Sequence, residues 1–250
     1  MITTATNTND PVIVIRNMKK SFGDHKVLDG FNLTVNKGEN VVVLGKSGSG
    51  KSVLIKCLMR LLEADAGEMK IFGISIPGLS NKALDELRSK IGFLFQGSAL
   101  YDSMTVKENL EFPLRRHLNK LSKEDVGKLV GAALENVGLP DIENKMPSEL
   151  SGGMKKRVGI ARMLIIKPEV LLYDEPTTGL DPITGREINH LMLDVQKKFN
   201  TSSIIISHDM NCVRRTANRI VVLIEGKCYA EGTYNELKNS NDTSIKQFFD

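Results

Sequence analysis

Residues 45–52 run Gly45-Lys46-Ser47-Gly48-Ser49-Gly50-Lys51-Ser52, a glycine, four residues, then Gly-Lys-Ser. Glycines at that spacing let successive backbone N–H groups converge on phosphate oxygens with no Cβ in the way. Lys51 supplies a cation for β- and γ-phosphates, and the Ser52 hydroxyl is a hard oxygen ligand for Mg²⁺. The loop follows the apolar run Val41-Val42-Val43-Leu44 and precedes Val53-Leu54-Ile55-Lys56-Cys57-Leu58. A buried strand feeding a helix separates a phosphate loop from an ordinary glycine-rich turn, and the helix adds its positive dipole end. These eight residues predict a nucleoside triphosphate site.

Asp174 and Glu175 follow a second apolar run, Val170-Leu171-Leu172-Tyr173. Adjacent carboxylates at a strand's C-terminal end divide their work: Asp174 holds Mg²⁺, directly or through water, and Glu175 polarises an attacking water. On its own an Asp-Glu pair reads as a solvated acidic turn; with the phosphate loop upstream and residues 176–181 (Pro-Thr-Thr-Gly-Leu-Asp) downstream, it joins the same site. Ser151-Gly152-Gly153 opens a stretch, residues 154–164, with helical spacing of apolar positions. A hydroxyl and two glycines at a helix start make either a plain N-cap or a second anion site. Two anion sites in one chain become intelligible when the second serves a nucleotide held by another subunit.

Strands must deliver these groups. Residues 12–15 are β-branched, and Phe31, Leu33 and Val35 alternate with polar residues, which predicts an antiparallel β region at the start. Asn36-Lys37-Gly38-Glu39 turns the chain into the strand before the phosphate loop. Residues 91–95 predict another buried strand, ending at Gln96. Residues 97–150 alternate charged segments with helix-period apolar positions and predict an inserted helical subdomain. Parallel-sheet character returns at residues 170–173 and 204–206. Residues 220–229, with Glu225-Gly226 at the middle, suggest a terminal hairpin, and one short helix is expected after Tyr234. The expectation is one α/β domain over residues 11–250, preceded by a polar, disordered lead-in at 1–10 that is no signal peptide.

Bulk composition narrows the partners. The net charge of +4, from 34 basic and 30 acidic residues, is too mild to indicate nucleic acid. Cys57, Cys212 and Cys228 show no metal or disulfide spacing and read as reduced thiols in a cytosolic compartment. No apolar run approaches the roughly 20 residues that cross a bilayer, so a membrane role must come through a partner.

The order of Gly45–Ser52, Gln96 after a strand, Leu150-Ser151-Gly152-Gly153, the run ending in Asp174-Glu175, Asp181 and His208 resembles the nucleotide-binding subunit of an ABC transporter. The resemblance covers residues 13–234. It implies a P-loop α/β core and a head-to-tail homodimer, with two ATP molecules and Mg²⁺ between the phosphate loop of one copy and the Ser151 turn of the other. It further implies an integral membrane permease as partner, and a cytoplasmic place on the inner face of the membrane. By the same resemblance Phe22 stacks on adenine where most members have Tyr, and Gln96 touches Mg²⁺ and the attacking water. Glu175 is the catalytic base, His208 contacts the γ-phosphate, and Asp181 shapes the dimer contact. Two residues depart from the family pattern. Met154 stands where most members carry Gln, and Lys46, a nucleotide-binding candidate that adds positive charge near the phosphates or points to solvent, stands where Pro or a small residue is frequent.

Leu-Ser-Gly-Gly-Met followed by basic residues, together with residues 96–106, is similar to the ATPase of Mla-type phospholipid-trafficking systems, which work with a permease and a lipid-binding MCE-domain protein. In the loop after Gln96, Tyr101 and Met104 are candidates for an apolar permease contact or for internal packing. The competing readings are an ATPase of another ABC importer or exporter, for amino acids or lipoproteins, and a soluble ABC-type ATPase acting on DNA or ribosomes. The latter usually carry fused cassettes, coiled coils, zinc modules or strongly basic surfaces, none of which this sequence shows. A nucleotide-gated scaffold is the non-enzymatic alternative, and intact Glu175 and His208 argue against it.

Overall fold

In the computed structural model, which describes residues 11–117 and 121–249, the chain opens with two long antiparallel strands, β1 (Pro11–Phe22) and β2 (His25–Asn36). Ile13, Ile15, Leu33 and Val35 point inward at every second position, the period that fixes one buried face. The lead-in expected at residues 1–10 lies outside the described residues. β3 (Asn40–Leu44) follows and is buried at every position. It runs through the phosphate loop into α1 (Lys51–Leu58). Then come β4 (Ala66–Ile71), the two-residue β5 (Ile74–Ser75) and α2 (Asn81–Arg88), none of them foreseen from the sequence. Met69 and Ile71 are the only buried positions of β4, too few for a periodic signal.

β6 spans Ile91–Leu94, so the expected strand stops one residue short, before Phe95. Between β6 and the next strand lie α3 (Val106–His117), α4 (Lys123–Glu135), a short 3-10 turn at Pro147–Glu149 and α5 (Gly152–Leu164). Then β7 (Val170–Asp174), α6 (Pro182–Phe199), β8 (Ser202–Ser207), α7 (Met210–Thr216), β9 (Arg219–Ile224) and β10 (Lys227–Gly232) complete the sheets. Two short helices, α8 (Tyr234–Lys238) and α9 (Thr243–Lys246), follow where one was expected.

Two sheets result, with orders β2-β1-β4-β5 and β10-β9-β3-β8-β7-β6. The second is parallel except for β10. Its central strands are buried on both faces, and their side chains alternate between two apolar clusters. Val41, Val43, Leu172, Ile204 and Ile206 join the antiparallel sheet and α1, whereas Val42, Leu44, Leu171, Tyr173 and Ile205 join the helices α3–α7. The unbroken apolar runs of the sequence are therefore sheet interior covered on two sides. In the β9–β10 hairpin Glu225 (φ 49) and Gly226 (φ 73) are both left-handed, the signature of a type I′ turn. A Cβ on Gly226 would lie 2.7 Å from the Asp29 nitrogen, and the Gly226 carbonyl accepts a hydrogen bond from that N–H, which ties the two sheets together.

Candidate nucleotide site

Strand pairing brings the candidate residues to one edge. Leu44 pairs with Ser207, Ile206 with Asp174, and Tyr173 with Leu94, so the strand ends adjoin in the order β3, β8, β7, β6. The phosphate loop, His208, Asp174-Glu175 and Gln96 leave these ends in turn. At about 4.8 Å between strands they span roughly 14 Å, and the carboxyl end of a parallel sheet is where such folds hold ligands.

The loop closes tightly because it lacks side chains where it bends. Gly50 sits at φ 100, and a Cβ there would lie 2.7 Å from Val27 Cγ1 and 3.0 Å from the Val27 carbonyl oxygen. A Cβ on Gly45 would meet Ser49 Oγ at 2.6 Å. Among the described residues the Ser49 hydroxyl, buried, has no hydrogen-bond partner, an unmet polar group that an anionic ligand would satisfy. Lys51 is buried, and its Nζ donates to the carbonyls of Gly45 (2.8 Å) and Lys46 (2.9 Å). Burial pushes the Lys51 ammonium below its ordinary pKa, against the pull of Glu175 and Asp174. Lys46 itself is exposed.

Ser52 Oγ donates to Asp174 Oδ1 at 2.9 Å. These two hard oxygen donors fit Mg²⁺, which takes few protein ligands and completes its shell with water and phosphate. Among the described residues no three His, Cys, Asp or Glu side chains cluster as a protein-only metal cage. Desolvation raises the Asp174 pKa, and the Ser52 hydrogen bond offsets part of that rise.

Glu175 turns out of β7 in the left-handed region (φ 50), its N–H donating to the Ile206 carbonyl at 2.9 Å. A non-glycine residue held there stores about 1–3 kcal/mol of strain, a feature that clusters at functional sites. Its buried carboxylate lies 2.8 Å from His208 Nδ1 and 4.0 Å from Lys51 Nζ, and it accepts from Thr178 Oγ1 at 3.1 Å. The His208 side chain is 57% exposed. Thr177 Oγ1 donates to Asp209 Oδ2 (2.9 Å), which fastens the loop after β7 to the loop after β8.

A family model described as "ABC transporter" matches residues 28–178, more than half of the chain. The chain belongs to the ABC transporter family. The cassette is 40% identical over 97% of its length to the chloroplastic protein trigalactosyldiacylglycerol 3 of Arabidopsis thaliana, of which it covers 74%. It is 37% identical over 96% of its length to MlaF of Haemophilus influenzae, an intermembrane phospholipid transport system ATP-binding protein, of which it covers 90%. It is also 42% identical over 90% of its length to the methionine import ATP-binding protein MetN of Rhizobium johnstonii, but spans only 61% of that protein. Among solved structures, the dimeric, post-hydrolysis ATP-binding cassette MJ0796 with ADP and Pi superposes with a TM-score of 0.81 at 32% identity, over 88% of this chain and 98% of that one. CbiO1 of Clostridium perfringens, part of the complex cbiONQ, gives 0.84 at 30% identity, over 95% of this chain and 94% of that one. The cassette is thus an ATP-binding ATPase subunit with the P-loop α/β fold.

The remaining sequence candidates sit around this centre. Phe22 is 49% exposed at the tip of the β1–β2 hairpin, with Lys20 Nζ 5.4 Å from its ring centroid, so it is a surface ring. Ser151 caps α5, accepting from the Met154 N–H at 3.3 Å, and Ser151 and Gly152 are exposed. Gly153 is buried against Thr184. Met154 packs on the helical cluster. Asp181 caps α6 through the N–H groups of Ile183 and Thr184. Gln96 is exposed, and among the described residues no hydrogen bond joins its side chain to Ser52 or Asp174.

Three residues of the cassette were missed from sequence. Thr178 holds the Glu175 carboxylate, Arg162 donates to the carbonyls of Ser98 and Ala99, and Lys156 donates to the carbonyls of Gln96 and Glu175. For Lys156 a signal existed. Gly153, Lys156, Ile160 and Met163 form the i, i+3, i+7, i+10 buried stripe of α5.

Proposed function

We propose that this ATPase works as a pair of copies that powers a membrane permease in phospholipid trafficking, with an MCE-domain lipid-binding protein as a further partner. Two ATP molecules lie between the phosphate loop of one copy and the exposed Ser151-Gly152-Gly153 turn of the other. Lys51 and the loop N–H groups bind the phosphates, Phe22 stacks on adenine, and Lys46 stays in solvent. Ser52 and Asp174 hold Mg²⁺, which when bound neutralises phosphate charge. Glu175 takes the proton of the attacking water, Gln96 orients that water and senses the permease, and His208 leaves Glu175 for the γ-phosphate. Asp181 shapes the contact between copies. Closure on ATP and opening after hydrolysis give the two-state motion that transport needs.

The observation that carries this reading is the single edge on which Lys51, Asp174, Glu175 and His208 meet. The lipid assignment is supported by similarity to MlaF across nearly the whole of both chains. Tyr101 and Phe112, both exposed with ring centroids 4.9 Å apart beside the Gln96 loop, form the apolar patch that would meet the permease. No described helix is long and apolar enough to cross a membrane, in keeping with a peripheral place on the cytoplasmic face. Similarity to MetN favours amino-acid import as the second reading. A pull-down of the tagged cassette from solubilised membranes separates the two. An MCE-domain protein and bound phospholipid support trafficking; a soluble amino-acid receptor in their place refutes it.

A further inference from the structure

Helix α5 is more than the carrier of the Ser151 turn. Lys156 is only 4% exposed, and its ammonium reaches two main-chain acceptors, the Gln96 carbonyl and, at 3.3 Å, the Glu175 carbonyl. A buried ammonium is costly unless every donor finds an acceptor, so its presence here calls for a role beyond packing. Desolvation lowers its pKa, and the nearby Asp174 and Glu175 carboxylates oppose that shift.

The same helix grips the rest of the Gln96 loop. Arg162 donates to the Ser98 and Ala99 carbonyls, both at 2.9 Å, and those two residues are left-handed (φ 62 and 48). Between the two cations Gly159 lets the loop approach: a Cβ there would lie 2.8 Å from Leu94 Cδ1 and 3.3 Å from Ser98 Cβ. Three strained residues, Ser98, Ala99 and Glu175, therefore depend for their conformation on neighbours that include Lys156 and Arg162 of one helix. Arg162 touches the Gln96 loop and, through Asn109 Oδ1 at 3.5 Å, helix α3. Lys156 alone of the two also reaches the residue whose carboxylate faces Lys51.

We propose that Lys156 is a positioning residue for hydrolysis, its ammonium holding the Glu175 and Gln96 backbones in register with the Ser151 turn at the head of the same helix. Displacement of α5, whether by the second copy at the Ser151 turn or by a partner at the Gln96 loop, then moves the carboxylate that activates water. This rests on Glu175 being the base.

The test compares Lys156→Met, which removes both hydrogen bonds, with Lys156→Gln, whose amide carries two donors for the two carbonyls without charge. Steady-state phosphate release and the affinity and stoichiometry of ATP binding are measured on the full chain. The expected result is a loss of kcat of at least five-fold in Lys156→Met, with ATP affinity within two-fold of wild type, and recovery to within three-fold in Lys156→Gln. A loss below five-fold overturns the proposal. So does loss of ATP binding together with turnover, which marks a purely structural lysine, and so does Lys156→Gln failing to recover. Glu175→Gln, measured alongside, separates the two assignments. If it keeps turning over, the base assignment falls and this inference with it; if it is inactive while Lys156→Met is normal, only this inference falls.

Discussion

Glu175 is held by His208, Thr178 and Lys51 at once, and the removal of its charge is the sharpest residue-scale test. Positioned acid–base catalysis contributes about 10²–10⁴-fold. Glu175→Gln should lose turnover by that order while its equilibrium ATP affinity stays near wild type; multiple turnover at the wild-type rate would remove Glu175 from the role of base. Asp174 makes a different prediction. Its folded pKa is raised, so at neutral pH the folded chain carries a buried carboxylate at a cost, and that cost fades as pH falls through the raised value. An asparagine in place of the acid would keep the Ser52 contact without the charge. Asp174→Asn should therefore raise the melting temperature at pH 7.5. The gain should shrink toward acidic pH. A gain that grows on acidification would contradict the burial argument, and hydrolysis should be lost at every pH.

At the scale of elements, α5 and the Gln96 loop act as one body because Gly159 leaves room between them. Gly159→Val forces side-chain volume against Leu94 and Ser98. Overpacking of this kind costs about 1–3 kcal/mol. Urea unfolding should show a lower midpoint with an unchanged slope; an unchanged midpoint would mean that the loop yields freely and is not clamped. Elements were unevenly legible in the sequence. β3, β7 and β8 announced themselves as apolar runs, because each is covered on both faces. β4 and β5 did not: β5 is a two-residue edge strand, and Ala66-Gly67-Glu68 of β4 shows no period. α2 escaped because only Leu84 and Leu87 of its eight residues are buried.

For the whole molecule, the exposed Ser151 turn and the exposed Phe22 ring are surfaces that a bound nucleotide and a second copy would cover. Glu175→Gln loaded with ATP and Mg²⁺ should therefore elute as a dimer in size-exclusion chromatography with light scattering, and as a monomer with ADP. A strictly monomeric species with ATP, even beside the native permease, would break the composite-site reading.

The sequence alone determined the phosphate loop, the paired carboxylates after an apolar run and the order of the motifs, because glycine spacing and strand periodicity are local properties of a chain. It could not determine which strand ends stand side by side. The order β3-β8-β7-β6 departs from chain order, and it is set by pairings such as Leu44 with Ser207, more than a hundred and fifty residues apart. The helical stripe places the middle of three basic residues on the inner face of α5, but it could not reveal that its ammonium holds the Gln96 and Glu175 carbonyls. That choice belongs to tertiary structure, since an ammonium enters a core only where distant backbone segments have already brought their carbonyls together.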